Sequence, residues 1–186
     1  PKTALKSFIE KGIVPPVDDE VAAEHHAILV DTLEAAGYEN YEFSNFSKPG
    51  FYSQNNMAYW EGKTYLGIGP SAHSFDGNQR SWNVRNNSIY IKEIQAGNLP
   101  IEREALTTED KFNEYVMTRL RTHKGISITY VSETFGFKGA QNLLEQAKEH
   151  IQLGLLILDD DHLRVSKKGK FLSDGIASDL FLVNLD

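Results

Sequence analysis

The chain has 186 residues, of which 40% are hydrophobic and 24% charged, enough for one large domain or two small ones. Its net charge of −7 argues against a nucleic acid or an anionic membrane as main partner, since both call for a concentrated excess of Lys and Arg. No run approaches the ~18 apolar residues of a membrane span and the N-terminus lacks the pattern of a signal peptide, so the chain reads as cytoplasmic. With no cysteine, it can by itself make no disulfide, thiolate zinc site or thiolate-held iron–sulfur cluster.

The opening "PKTALKSFIEKG" begins as if inside a pattern, which predicts that further chain precedes it. A helix is expected over 18–36, with Asp18, Asp19 and Glu20 at its start, Ala22, Leu29, Leu33 and Ala36 on one face and Gly37 as its stop. His25 and His26 lie inside it, about 100° apart around the axis, and suit surface or core-edge roles rather than one metal. "YENYEFSNF" (38–46) spaces Tyr41, Phe43 and Phe46 as a strand does, completing one αβ unit. Residues 47–62 read as a loop punctuated by Pro49-Gly50 and Gly62. Tyr65, Leu66 and Ile68 read as a short strand running into Gly67, Gly69 and Pro70, where glycines permit close backbone approach. A further strand is expected at 79–86, a helix over 88–97 and a connector over 98–106. The division between two domains is set at 98/99.

Beyond that point the pattern turns helical. Thr107 and Asp110 have the spacing of a capping box, and Phe112, Val116 and Leu120 follow at intervals of four. Further helices are expected over 129–136 and 140–153, the second with Leu143, Leu144, Ala147 and Ile151 on one face and Gly154 as its stop. "LLILDDDHLRVS" (155–166) alternates on both sides of Asp159–Asp161 as a hairpin does. Ser166 is expected to cap a last helix to about Leu182. Three helices, a hairpin and a closing helix describe a winged helix. From Ala105 onward, however, ten Lys and Arg face twelve Asp and Glu, and three aspartates at the hairpin tip would repel a phosphate backbone, which disfavours nucleic acid.

No self-contained catalytic motif is present: Gly67-Ile68-Gly69 lacks the third glycine and helix start of a phosphate loop. His73 stands directly after a glycine-rich strand end, where α/β folds gather ligands; a histidine hydrogen-bonded within a turn reads equally well. Asn55 and Asn56 suit either a turn or the orientation of a carboxylate or cofactor. Tyr59 and Trp60 suit either a core or the face of a flat ligand.

Residues 35–75 carry, in order, Ala35-Ala36-Gly37-Tyr38, Tyr41-Glu42-Phe43-Ser44, Lys48-Pro49-Gly50-Phe51, Asn55-Asn56-Met57-Ala58-Tyr59-Trp60, Tyr65-Leu66-Gly67-Ile68-Gly69 and Ala72-His73. This resembles the oxygen-independent coproporphyrinogen III oxidase family of radical S-adenosylmethionine proteins, in particular its haem-chaperone branch. Pro1-Lys2-Thr3, "KFNEYVMTRLRTHKGIS" and "LRVSKKGKFLSDGIASDLF" resemble further parts of the same family. The branch has histidine where Asn55 stands. An amide is a poor iron ligand beside an imidazole, so His73 becomes the remaining candidate for contact with iron or cofactor.

The resemblance implies an α+β fold: residues 1–98 as the C-terminal αβ portion of a partial (β/α) barrel, and residues 99–186 as a helical, winged-helix-like domain. It implies a longer protein that uses a [4Fe–4S] cluster and S-adenosylmethionine and binds haem or a porphyrin. No cofactor is expected on this chain alone, and no radical chemistry from it. Implied cofactor contacts are Gly67, Gly69 and His73; implied haem contacts are Asn55, Asn56, Tyr59, Trp60 and His73. A non-enzymatic winged-helix interaction module and a true coproporphyrinogen III decarboxylase are the alternatives. Strand edges left free are expected to favour a homo-oligomer.

Overall fold

The computed structural model describes residues 3–182, so Pro1 and Lys2 of the Pro-x-Thr resemblance lie outside it. A short helix α1 (Ala4–Glu10) precedes α2 (Asp19–Ala35), which starts where the Asp18 carboxylate accepts from the backbone N–H groups of Glu20 and Val21. That is the expected helix, one residue shorter at each end. Its buried contact differs from the expected face: Val30 is enclosed, whereas Leu29 is 48% exposed.

Three readings of the first hundred residues need correction. The strand read over 38–46 is a tight hairpin, β1 (Glu39–Glu42) paired antiparallel with β2 (Asn45–Ser47). Glu42 makes the turn, its Oε1 accepting from the Ser44 backbone N–H at 3.2 Å, from the Ser44 hydroxyl at 3.1 Å and from the Asn45 side-chain amide. The loop read over 47–62 holds a helix, α3 (Gln54–Trp60), whose N–H at Asn56 donates to the Ser53 hydroxyl. Only Met57 of its seven residues is buried, so it shows no apolar period in sequence. The strand read at 65–68 does not form: Tyr65 makes a single bridge to Phe75, and Leu66 and Ile68 are 79% and 84% exposed.

The regular strand lies further on. β3 (His73–Phe75), β4 (Gln79–Asn83) and β5 (Ile101–Ala105) form an antiparallel sheet in that order, with α4 (Asn87–Gln95) between the last two. The expected connector over 98–106 therefore contains a strand, which pairs with β4 across position 98/99.

The rest follows the expected order. α5 (Thr108–Leu120) opens with the Thr107–Asp110 capping box. Next come β6 (Ile126–Ser127), α6 (Ile128–Gln152), β7 (Leu156–Asp159) and β8 (His162–Val165), in a sheet of order β6-β8-β7. Gly136, at φ 84° and ψ 162°, breaks α6 into the two helices read from the sequence. Helix, strand, two helices and a wing packed on the first strand is winged-helix topology. The long last helix is absent among the described residues. A 3-10 turn (Lys170–Leu172) and α7 (Ser173–Asp179) stand in its place. Ser166 instead donates its hydroxyl to the Gly154 carbonyl at 2.7 Å and accepts from the Gly169 N–H at 3.1 Å, tying the end of the wing to the turn before β7.

The continuous apolar core belongs to this C-terminal part: Phe112, Val116, Ile126, Leu143, Leu156 and Leu163 are fully enclosed. Each such side chain contributes about 1.5–3 kcal/mol by leaving water. Before residue 106 the buried hydrophobics are Val30, Tyr41 and Met57. The αβ part meets the winged helix through polar bonds and through ring contacts such as Tyr52 with His123 and Arg121 over Trp60. The Tyr41 carbonyl lies 3.1 Å from the His123 backbone nitrogen and 3.0 Å from its Nδ1, and Glu61 accepts from Lys124 at 2.7 Å.

Candidate functional site

The residues singled out by sequence fall into three neighbourhoods. Gly67 and Gly69 lie in the 65–69 segment that covers the outer edge of β3, beside His73. Asn83, 3% exposed, donates its side-chain amide to the Gly69 carbonyl at 2.8 Å and to the Gly67 carbonyl at 3.3 Å. The Gly67 N–H donates to the Ser74 hydroxyl at 2.9 Å, and a Cβ at Gly67 would collide with the backbone of His73. The glycine is thus required by strand packing. His73 is exposed, stacks loosely on Trp82 with ring centroids 6.1 Å apart, and lines a hollow of about 260 Å³ with Ser71, Asn83 and Arg85.

Asn55 and Asn56 lie in the first turns of α3. Asn55 is exposed, and Asn56 is half-buried with its backbone N–H on the Ser53 cap. Tyr59 and Trp60, at the end of the same helix, face a different space. With Tyr65 and Phe75 they form one wall of a cleft of about 580 Å³, and Tyr115 and Phe135 of the winged helix form the other. Tyr59 meets Tyr65 edge-on at 4.8 Å, and Tyr115 stacks on Tyr130 at 4.5 Å.

Charge is arranged around these rings. Arg80, Lys111 and Arg119 line the cleft, as do Glu61 and Glu114. Arg80 pairs with Glu114 at 2.8 Å, yet burial outweighs that partner and raises the Glu114 carboxyl above its usual range. Glu61 is lowered, first by its hydrogen bond from Lys124 and then by Lys63, so it stays ionised. Burial also raises the Tyr115 phenol, whose oxygen accepts from the Ser127 N–H at 3.2 Å.

Flat apolar walls with guanidinium and ammonium groups at their margin suit a planar ring system carrying acidic groups. No histidine lines this cleft; the thioether of Met117 does. The fold therefore separates Tyr59 and Trp60 from His73. Sequence reasoning missed Arg80, Lys111, Tyr115 and Phe135, because they come from β4, α5 and α6 and have no local motif. Among the described residues no group of three or more His, Asp or Glu has the arrangement of a metal site, and no helix is long and apolar enough to cross a membrane.

Residues 106–172, from the start of the winged-helix part to its 3-10 turn, match the family of the HemN C-terminal domain. In fold, the chain is similar to coproporphyrinogen III oxidase (HemN) from Escherichia coli, a radical SAM enzyme, with a TM-score of 0.63 at 20% identity over 84% of this chain and 40% of that one. The chain corresponds to the C-terminal part of a HemW/HemN-like protein. It is 30% identical to the heme chaperone HemW of Mycobacterium tuberculosis H37Rv over 96% of its own length and 44% of that protein's. The heme chaperone HemW of Bacillus subtilis is 30% identical over 95% of this chain and 47% of its own. Mitochondrial radical S-adenosyl methionine domain-containing protein 1 of Danio rerio is 31% identical over 97% and 43%. The chain thus spans a little under half the length of these curated relatives.

Proposed function

We propose that this chain is the haem-facing part of a longer protein that binds haem or a related porphyrin and hands it on. What carries the reading is the likeness to HemW along 96% of the chain, joined to a cleft whose walls suit a flat, acid-bearing ring. In that reading the macrocycle lies between Tyr59–Trp60 and Tyr115–Phe135, with its carboxylates toward Arg80 and Lys111. His73, across the sheet edge, is a ligand to iron only if the ring reaches beyond the cleft.

A [4Fe–4S] cluster, where the family holds one, supplies the electron that cleaves S-adenosylmethionine. The residues here do not fit it: the chain has no cysteine, so the cluster's thiolate ligands have to come from elsewhere in a longer protein. Gly67 and Gly69 would contribute only a closely approached backbone to S-adenosylmethionine. The reading puts the protein in the cytoplasm and leaves the outer edge of β5 as the route to self-association.

Haem titrated into the full-length protein tests the reading. A saturable Soret shift is expected, weakened in Arg80→Gln and in Tyr59→Ala. An unchanged Soret band in His73→Ala removes that histidine as a ligand, and no Soret shift in the parent protein overturns haem binding altogether.

A further inference from the structure

A second hollow, of about 170 Å³, lies between the β1–β2 hairpin and the wing, far smaller than the aromatic cleft. Arg121, Arg164 and Lys170 line it, with His123, Glu42 and Ser173. Two donors there are buried and have no hydrogen-bond partner: Arg164 Nε and the hydroxyl of Ser173, a residue only 3% exposed. Buried donors in proteins are nearly always matched, so two at one hollow mark a place for an acceptor. A hollow of this size, polar on several sides, has room for a handful of waters at ~30 Å³ each, or for one tetrahedral or planar oxyanion.

The charges favour the anion. Each cation holds an outlying carboxylate by one nitrogen: Arg121 Nη2 to Asp174 at 2.7 Å, Arg164 Nη1 to Asp159 at 3.4 Å, Lys170 Nζ to Glu34 at 3.9 Å. None of those three carboxylates lines the hollow. A guanidinium has five N–H donors, so each arginine keeps donors beyond its carboxylate contact. Glu42 is the one carboxylate in the lining; its Oε1 accepts from Ser44 and Asn45 of its own hairpin, and its single negative charge stands against three cations. Burial, with the Lys167 ammonium nearby, lowers the Lys170 ammonium despite Glu34.

We propose that this hollow binds a small oxyanion, a phosphate or carboxylate group, held by Arg121, Arg164 and Lys170 and by the hydroxyl of Ser173. Such a ligand joins the αβ hairpin to the wing and the 3-10 turn. The inference is independent of the haem reading, since a tetrapyrrole does not fit the space.

Isothermal titration of the protein with inorganic phosphate, sodium acetate and sodium chloride at matched ionic strength tests it. Saturable binding of phosphate or acetate, but not chloride, is expected, and the stronger of the two names the group. Losing one charge-assisted hydrogen bond should weaken binding about tenfold in Lys170→Gln and in Arg164→Gln. Ser173→Ala removes only a buried hydroxyl, should fold by far-UV circular dichroism, and should weaken binding severalfold. Equal responses to all three salts, or phosphate affinity unchanged in folded Lys170→Gln and Ser173→Ala, overturns the proposal.

Discussion

Asp161, in the turn of the wing, caps the start of α6: its Oδ1 accepts from both the backbone N–H and the hydroxyl of Thr129, each at 2.7 Å. Its Oδ2 accepts from the Ser127 hydroxyl at 2.6 Å, and its backbone carbonyl from the Ile128 N–H at 2.8 Å. An aspartate that charge counting treats as a repulsive tip is therefore a joint between wing and helix.

These bonds, the Ser127 hydroxyl first, hold the Asp161 carboxyl below its usual range. A depressed carboxyl adds stability above the unfolded pKa of about 3.9 and loses it as pH falls through the lower folded value. Asp161→Ala should cost about 1 kcal/mol at neutral pH, as the loss of a helix cap does. Urea denaturation at pH 7 reads the gap between the two proteins, which should close progressively as pH falls below ~4. A gap of the same size in acid would show that the carboxylate charge has no part in the cap.

The elements visible in sequence are those whose burial is one-sided and whose ends carry side-chain caps. α5 shows both, with Phe112, Val116 and Leu120 enclosed and the Thr107–Asp110 box at its start. β5 shows neither: four of its five residues, in "IEREA", are exposed, so no alternation marks it and only pairing with β4 makes it a strand. The 38–46 hairpin is hidden for another reason. Its turn lacks glycine and is built by Glu42, whose partners Ser44 and Asn45 read locally as ordinary strand neighbours. The cleft is divided in the same way. Tyr59 and Trp60 stand in a contiguous motif, whereas Arg80, Lys111 and Tyr115 meet them only through the fold.

Gly67 is fixed by contact rather than by its backbone angle. A methyl group there would meet the His73 backbone, and relief would pull the 65–69 segment off β3 and break the Gly67–Ser74 bond. Gly67→Ala should destabilise by about 1–3 kcal/mol, the range of overpacking. Gly69, at φ +105° with open space around its Cβ position, should lose only the smaller backbone-strain term on replacement by alanine. Denaturant midpoints for the pair give the comparison; a larger loss at Gly69 would refute the contact account.

Phe112 tests where the stability resides. Its ring is fully buried and meets Phe135 edge-on at 5.3 Å, beside Gly139 on the facing helix. Phe112→Ala should cost about 3–5 kcal/mol, a large share of the ~5–15 kcal/mol typical of a domain. Val30→Ala, in the αβ part, removes less volume from a place with few buried neighbours and should cost less. Near-UV circular dichroism with urea titration distinguishes them; equal costs would mean that the two parts share one core.

Glu114 gives the aromatic cleft a pH dependence. Burial raises its carboxyl despite the Arg80 guanidinium at 2.8 Å. A carboxyl whose folded pKa is raised weakens the fold while ionised, above that pKa, and the penalty fades as pH falls toward the unfolded value of about 4.3. The same charge repels an acidic ring. Of the other charged groups lining the cleft, Glu61 is held low by Lys124 and Lys63, and Lys63, Arg80, Lys111 and Arg119 are the basic ones. On account of Glu114, haem affinity of the wild type should rise as pH falls from 8 toward the unfolded carboxyl value of about 4.3, and Glu114→Gln should bind more tightly than the wild type at pH 8. Protonation of the ring's own carboxylates weakens their attraction to Arg80 and Lys111 and opposes the rise, so the quantity to read is the ratio of variant to wild-type affinity. That ratio should fall toward one with acidification; a ratio constant across the range would remove Glu114 from the ligand surface.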